Sequence, residues 1–378
     1  MRLHRDVRQV PWQPGLDCVY DRMVGFRSSG QLDRGRCRSA APGSGRRLRR
    51  AGLLGMLAWS VVGCGGDNAS TTRSQDLGAV VEALDDPFIR TMRDGLVTTA
   101  RARRLRVDVE APVGVQDTAG QAAALESLAT TGAACYVLNP IDRANLVQSL
   151  PAIAPGTPIV NIESPIDRRA ADAVNREIAT YIGTDNLAAG RLAAVAMATV
   201  VRSGAQVVVI AGIPGDVGSA ARRQGFIEGA RGRFEVVQTI AADFDRTQAG
   251  LATRQLLREG SPIDGVFAVS DEMALGVVDA LRAAGRSDSV RVVGIDGIAE
   301  ALRAVRRGAM SATVARYPYT IGQLGVEACA AAIRQKTLPE TVRTPIQLVT
   351  RQNVARVQLN MPRPLQQFDD PLLPLLND

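Results

Sequence analysis

Gly265-Val266-Phe267-Ala268, Ser270-Asp271-Glu272-Met273-Ala274-Leu275-Gly276 and Val290-Arg291-Val292-Val293-Gly294-Ile295-Asp296-Gly297 follow one another in this 378-residue chain. The first and third are short apolar runs, and residues 272–284 between them have helical spacing. Strands apolar on both faces and separated by helices belong to a parallel sheet covered on both sides. The same unit recurs upstream. Strand-like runs fall at residues 77–83, 105–110, 135–138, 159–162, 206–211, 235–240, 265–268 and 290–294. Helical runs fall at 87–104, 118–131, 143–152, 187–202, 220–231, 248–258 and 272–284. A further helix at 318–335 and an extended segment at 342–349 close the pattern.

The alternation breaks once, at Tyr181-Ile182-Gly183-Thr184-Asp185-Asn186, with about four βα units on either side. A body of about 315 residues exceeds one usual core. The expected fold class is therefore α/β, with two doubly wound parallel-sheet lobes joined by several crossings. Ligands of such sheets bind outside the carboxyl ends of the strands, which here means a cleft between the lobes.

Upstream, Arg46-Arg47-Leu48-Arg49-Arg50 precedes an apolar run over residues 51–62. Together they have the layout of a secretory signal, and the run falls short of the ~20 residues a bilayer span needs. Val61-Val62-Gly63-Cys64 resembles the lipobox of bacterial lipoproteins. That resemblance implies removal of residues 1–63 and a lipid on the Cys64 sulfur. Residues 1–45 have no clear period and read as an extension upstream of the true start, with Met23 a candidate start. Residues 64–75 are Gly/Ser/Thr/Asn-rich and read as a flexible tether.

The cut changes the charge. Residues 1–63 hold 12 of the 45 basic and 4 of the 38 acidic residues, which leaves 33 against 34. The net +7 of the whole chain belongs to the leader, and with it goes the case for a nucleic-acid partner. The one histidine is His4, so the mature chain has no Ser-His-Asp triad, Cys-His pair or His-bound zinc. No metal, no cofactor and no catalysis are expected. Cys135 opens an apolar strand and Cys329 sits in an Ala-rich helix, and the pair reads as two buried thiols. An exported protein with two cysteines can also close one disulfide, although no spacing argues for it.

Ala242-Asp243-Phe244-Asp245-Arg246, the Ser270–Gly276 run and the Val292–Gly297 run each stand at a strand end. With Asp86-Pro87-Phe88, Gly218-Ser219-Ala220-Ala221-Arg222 and Tyr317-Pro318 through Ile321-Gly322, they resemble the ribose-binding branch of the periplasmic sugar-binding protein family. The resemblance covers about residues 76–351. It implies a type I periplasmic binding protein fold with a three-crossing hinge. The lobes are then 76–183 with 317–345 and 184–316 with 346–357, followed by a loosely attached Pro-rich tail at 358–378. It also implies that Asp86, Phe88, Arg222, Phe244 and Asp296 contact sugar.

The chemistry of these residues fits such a ligand. Charged side chains make the strongest hydrogen bonds to hydroxyls, ~1.5–3 kcal/mol each. Asp296 closes a strand at a Gly-flanked turn, Arg222 presents a fork of donors, and Phe88 and Phe244 are placed to cover ring faces. Each residue also has a plainer reading: Asp296 as a turn residue, Arg222 as a solvated charge, the two rings as packing, and Asp86 as the N-cap before Pro87.

Four departures from the family pattern bear on the ligand. Ile89 replaces a second aromatic, Glu163-Ser164 replaces an Asp-Arg pair, Ser270 replaces an Asn and Arg316 replaces a Gln. Ribose is therefore disfavoured, and another pentose, a polyol, a sugar acid drawn to Arg316 or a furanose-like signal stays open. The chain is expected to be a monomeric, lipid-anchored, extracytoplasmic protein that delivers a small sugar to the permease subunits of an ABC importer. The alternative is a sensor component reporting to a chemoreceptor or histidine kinase.

Overall fold

The computed structural model describes residues 76–377. The leader 1–63, the lipidation at Cys64 and the tether 64–75 lie outside the described residues. Within them the strands form two six-stranded sheets. The first contains β1 (Asp76–Val80), β2 (Arg106–Glu110), β3 (Cys135–Leu138), β4 (Ile159–Ile162), β5 (Thr180–Thr184) and β11 (Thr341–Thr344), in the order β11-β5-β4-β3-β1-β2. The second contains β6 (Gln206–Ala211), β7 (Glu235–Ala241), β8 (Gly265–Ala268), β9 (Arg291–Asp296), β10 (Ala312–Ala315) and β12 (Gln347–Thr350), in the order β12-β10-β9-β8-β6-β7. Every pairing is parallel except β10 with β12.

Helices cover both sheets: α1 (Pro87–Ala102), α2 (Thr118–Ala129), α3 (Arg168–Ala173), α4 (Asn186–Ala198), α5 (Val217–Ala230), α6 (Arg246–Arg258), α7 (Asp271–Ala283), α8 (Ala299–Arg307), α9 (Pro318–Ile333), α10 (Val354–Asn360) and α11 (Leu373–Asn377). The chain passes between the lobes from β5 to α4, from β10 to α9 and from β11 to β12. Central strands β3, β4, β8 and β10 are buried at every position, while the edge strand β2 alternates towards solvent. That contrast is why the central strands read as continuous apolar runs.

Helix starts are set by side chains. Asp86, Asp117, Asp167, Asp185, Asp216, Asp245 and Ser270 each accept from a backbone amide in the first turn of α1 to α7, satisfying donors a helix start leaves open. Helix pairs then meet at reciprocal glycines. A Cβ on Gly190 would lie 2.0 Å from the Arg222 carbonyl oxygen, and one on Gly225 2.1 Å from that of Leu187. The backbones of α4 and α5 thus touch, and this contact fixes where Arg222 stands.

Several segments differ from the sequence reading. Residues 143–152 form only a 3-10 helix at Val147–Ala152. Asp142 Oδ1 ties the amides of Ala144 and Asn145 into a turn, and Pro151 lies inside the short helix. Strands β5 and β10 were not anticipated; both are short and rich in small residues or glycine. The segment 342–349 is two strands, β11 and β12, in different sheets.

The tail is also docked. Leu372 is fully buried in the first lobe's core beside Phe368 and Leu375, and Arg334 donates to the Leu376 carbonyl at 3.1 Å. Its apolar residues, hidden among prolines, have no period to betray this.

Cys135 and Cys329 are not free thiols. They form a disulfide that joins β3 to α9 across 194 residues of sequence. The pairing had no sequence signal, because the two residues meet only once α9 has crossed back to the first sheet. A cross-link closing so long a loop constrains the unfolded chain. Reduction, or the combined Cys135→Ser and Cys329→Ser change, is expected to lower unfolding free energy by about 2–5 kcal/mol. Urea melts with and without reductant check this, and coincident melts would rule the cross-link out.

Candidate functional site

The loops after the strands' carboxyl ends converge on one cavity of about 1330 Å³ between the lobes. Glu82 follows β1, Glu163 and Ser164 follow β4, and Phe244 follows β7. Ser270 follows β8, Asp296 ends β9 and Arg316 follows β10. Asp86 caps α1, whose first turn carries Phe88 and Ile89, and Arg222 projects from α5. All ten residues singled out in the sequence, Asp86, Phe88, Ile89, Glu163, Ser164, Arg222, Phe244, Ser270, Asp296 and Arg316, line this cavity.

The backbone is unusual here. Among the described residues, four of the seven non-glycine residues with positive φ are Glu163 (55°), Asp243 (52°), Phe244 (59°) and Asp296 (137°). Such conformations cost of order 1–3 kcal/mol each and persist only where the surroundings hold them. Phe244 is held by its ring lying against Gly212, where a Cβ would sit 2.3 Å from Cζ. Asp296 is held by its side chain.

Arg316, 3% exposed, is the centre of the site. Its Nε and NH2 donate to Asp296 Oδ1 at 3.0 and 2.6 Å, and its NH1 donates to Glu163 Oε1. The Arg316 guanidinium also lies 4.0 Å from the centroid of the Phe88 ring. Phe88 is thus covered by a cation on one side and packed into the first lobe's core, together with Ile89. Arg316 is already neutralised by two carboxylates, so it does not provide the free charge on which the sugar-acid option rested. The two carboxylates hold its pKa above the ordinary arginine value despite its burial.

Arg222 donates from Nε to Asn186 Oδ1 at 2.8 Å and from NH1 to the Val269 carbonyl at 3.0 Å. Its NH2 stands 3.6 Å from Glu163 Oε1. Burial and the nearby Arg316 lower its pKa. Ser270 caps α7, and Ser164 Oγ donates to Glu82 Oε1 at 3.0 Å. Asp86 accepts from the Phe88 amide at 2.7 Å. Burial first, and then the Asp296 charge, push its pKa up to about 6. The N-cap role and the place in the cavity wall are therefore held by one carboxylate.

Two further acids matter that sequence reasoning passed over. Asp271 is fully buried and accepts from the amides of Gly297 (2.6 Å) and Ile298 (3.1 Å) and from Thr313 Oγ1 (2.7 Å). It shapes the turn that places Asp296, whose Oδ2 accepts from the Asp271 amide at 3.2 Å. Burial and the Asp296 charge raise its pKa to about 8, against the lowering effect of those three donors. Glu82 lines the cavity, and burial together with Asp216, Glu163 and Asp86 raises its pKa well above the usual carboxylate range. Its signal was available: a lone acidic residue directly after the apolar run of β1, at the end of a parallel strand.

Comparisons with known proteins agree with this architecture. A model of the periplasmic binding protein domain matches residues 77–337. The ribose import binding protein RbsB of Bacillus subtilis is 32% identical over 287 residues, covering 75% of this chain and 90% of its own length. An ABC transporter solute-binding protein of Bacillus halodurans, solved with bound myo-inositol, superposes with a TM-score of 0.68 at 26% identity over 77% of this chain and 99% of its own. An ABC transporter periplasmic solute-binding protein of Actinobacillus succinogenes, solved with bound D-allose, superposes with a TM-score of 0.69 at 24% identity over 74% and 99%.

Proposed function

The chain belongs to the periplasmic binding protein family, and from that premise we propose that it captures a small polyhydroxylated ligand, a monosaccharide or polyol, for ABC-type import. The observation that supports this most is the set of buried charged groups from both lobes, Glu163 on one wall and Arg222, Asp296 and Arg316 on the other, around one cavity. Hydroxyls both donate and accept, so a wall of fixed carboxylates and guanidiniums matches a ring of them without leaving buried partners unpaired. Ribose, D-allose and myo-inositol, the ligands named for relatives and neighbours, belong to the same chemical class. No histidine follows the leader, and the relatives are binding proteins of transporters rather than enzymes.

In this reading the ligand-contacting residues are Asp86, Phe88, Ile89, Glu163, Ser164, Arg222, Phe244, Ser270, Asp296 and Arg316. The protein works as a monomer outside the cytoplasm and presents exposed surfaces of both lobes to the permease subunits. The lobes are residues 76–183 with 317–345 and 184–316 with 346–357. The lipid on Cys64 would keep the protein at the membrane. The basic patch, the apolar run and the residues before Cys64 support that anchor.

A thermal-shift screen of the protein against pentoses, hexoses and polyols tests the binding reading. A ligand at 100 times its dissociation constant adds ~2.7 kcal/mol to the folded state. Asp296→Asn keeps the side chain's shape but removes its charge, and is expected to weaken the hit by at least about tenfold. Unchanged affinity would take Asp296 out of the ligand's reach. For the anchor, Cys64→Ser is expected to move the protein from the membrane fraction to the soluble fraction; a variant that still sediments with membranes would refute lipidation at that residue.

A further inference from the structure

Carboxylates outnumber cations inside the cleft. Glu82, Asp86, Glu163, Asp216 and Asp296 line it, and the basic groups buried among them are Arg222 and Arg316. Both guanidiniums are engaged already. Arg316 is held by Asp296 and Glu163, and Arg222 by Asn186, the Val269 carbonyl and Glu163. The remaining lining cations are Arg143, Arg168, Arg169 and Arg343. Arg143 is exposed and faces Asp167 at 3.9 Å, Arg168 donates to the carbonyls of Ile178 and Glu340, Arg169 is exposed, and Arg343 is exposed and lies over the Tyr181 ring.

Two carboxylates on the first lobe's wall have a demand left unmet: Glu82 faces no cation, and Glu163, though paired with Arg316 and near Arg222 through Oε1, has one oxygen without a donor. Glu82 accepts from the neutral Ser164 hydroxyl, and the charges that face it are acidic: Asp216 at the start of α5, Glu163 after β4 and Asp86 before α1. Among the described residues no basic side chain pairs with it. Glu163 is 7% exposed and lines the cavity, yet its Oε2 is buried with no hydrogen-bond partner. Glu163 and Ser164 are consecutive, which places this orphaned oxygen on the same stretch of wall as Glu82. A buried acceptor without a donor is costly, and a donor that also brings positive charge answers both deficits at once.

We propose that the ligand carries a protonated amine beside its hydroxyls, an amino sugar or an aminated polyol, with the ammonium seated against Glu82 and Glu163. This rests on the reading of the cleft as a sugar or polyol site and names the chemical class within it. Three ammonium hydrogens match the Glu163 Oε2 acceptor and the Glu82 carboxylate. The same groups repel a sugar acid, since Arg316 is already neutralised.

A linkage follows. In the free protein the acidic neighbours and burial keep Glu82 protonated beyond the usual pH range. An ammonium beside it favours the carboxylate, so binding of the amine releases a proton. Affinity for an amine therefore rises with pH until Glu82 ionises in the free protein, with a slope of at most one proton. A neutral ligand that accepts from protonated Glu82 shows the opposite slope.

The test is titration calorimetry of the full protein with D-glucosamine, D-galactosamine, D-mannosamine and amino-deoxy-inositols, each beside its neutral parent, and with the hexuronic acids. At least one amine is expected to bind about 10- to 100-fold more tightly than its parent, the range of a charge-assisted hydrogen bond. Its affinity should rise with pH up to the range in which Glu82 ionises in the free protein. Glu82→Gln should bring the ratio of amine to parent towards one; thermal melts verify that the variant is folded, and the wild-type ratio stands without it. A parent or a uronic acid that binds as well as the amines overturns this inference and leaves the sugar-binding reading in place. Silence from amines, parents and acids alike overturns both.

Discussion

Arg316 is the charge on which the cleft depends. It leaves β10 in the second lobe, receives Asp296 from the adjacent strand of the same sheet, and reaches Glu163 at the end of β4 in the first. Its own amide donates to the Asp296 carbonyl at 3.0 Å, so side chain and backbone are fixed by one neighbour. Taking one carboxylate out of water costs several kcal/mol even after relaxation. Asp296 and Glu163 are both more than nine-tenths buried, and this guanidinium is what makes their shared burial tolerable. Such a set is poor evidence of stability, since an apolar substitute would often be as good. Its value is geometric: it holds polar groups ready where a polar ligand enters.

Fold and site are joined by close backbone contacts. α4 and α5 meet at Gly190 and Gly225, and α1 and α9 at Gly95 and Gly322, where a Cβ would fall within about 2 Å of a carbonyl oxygen. The first contact sets Arg222. The second sets Phe88, which starts α1 and lies under Arg316. The disulfide between β3 and α9 locks the helix that carries the second chain crossing, and the tail from α10 to α11 runs back from the second lobe to the first. Each device fixes the position of a crossing or a wall without itself touching the cavity.

Much of this was legible in the sequence. Apolar strands alternating with helices give a doubly wound sheet because burial on both faces leaves no room for polar alternation. Phe244 and Asp296 were legible because ligands meet strand ends, whereas Arg316 follows the unanticipated β10 and was singled out only as a departure from the family pattern. What stayed hidden depends on the folded chain. β10 is Ala-Thr-Val-Ala, too small and short to declare itself. Cys135 and Cys329 become neighbours only through the return of α9. Glu82 drew no reading of its own within the strand-like run 77–83, and it is the facing acids of α1, β4 and α5 that make it distinctive. Phe88 was read as a cover for a sugar ring, but the Arg316 guanidinium takes one of its faces, a pairing that no local spacing encodes.

The claim that most needs testing is that Arg316 interlocks the two walls of the cleft through Glu163. A double-mutant cycle on Glu163→Gln and Arg316→Met, read as unfolding free energy at neutral pH, measures it directly. Residues in contact couple by ~0.5–3 kcal/mol, whereas independent sites add within about 0.5. The account predicts a coupling in the upper half of that range. Additive losses, with the two changes indifferent to one another, would contradict it.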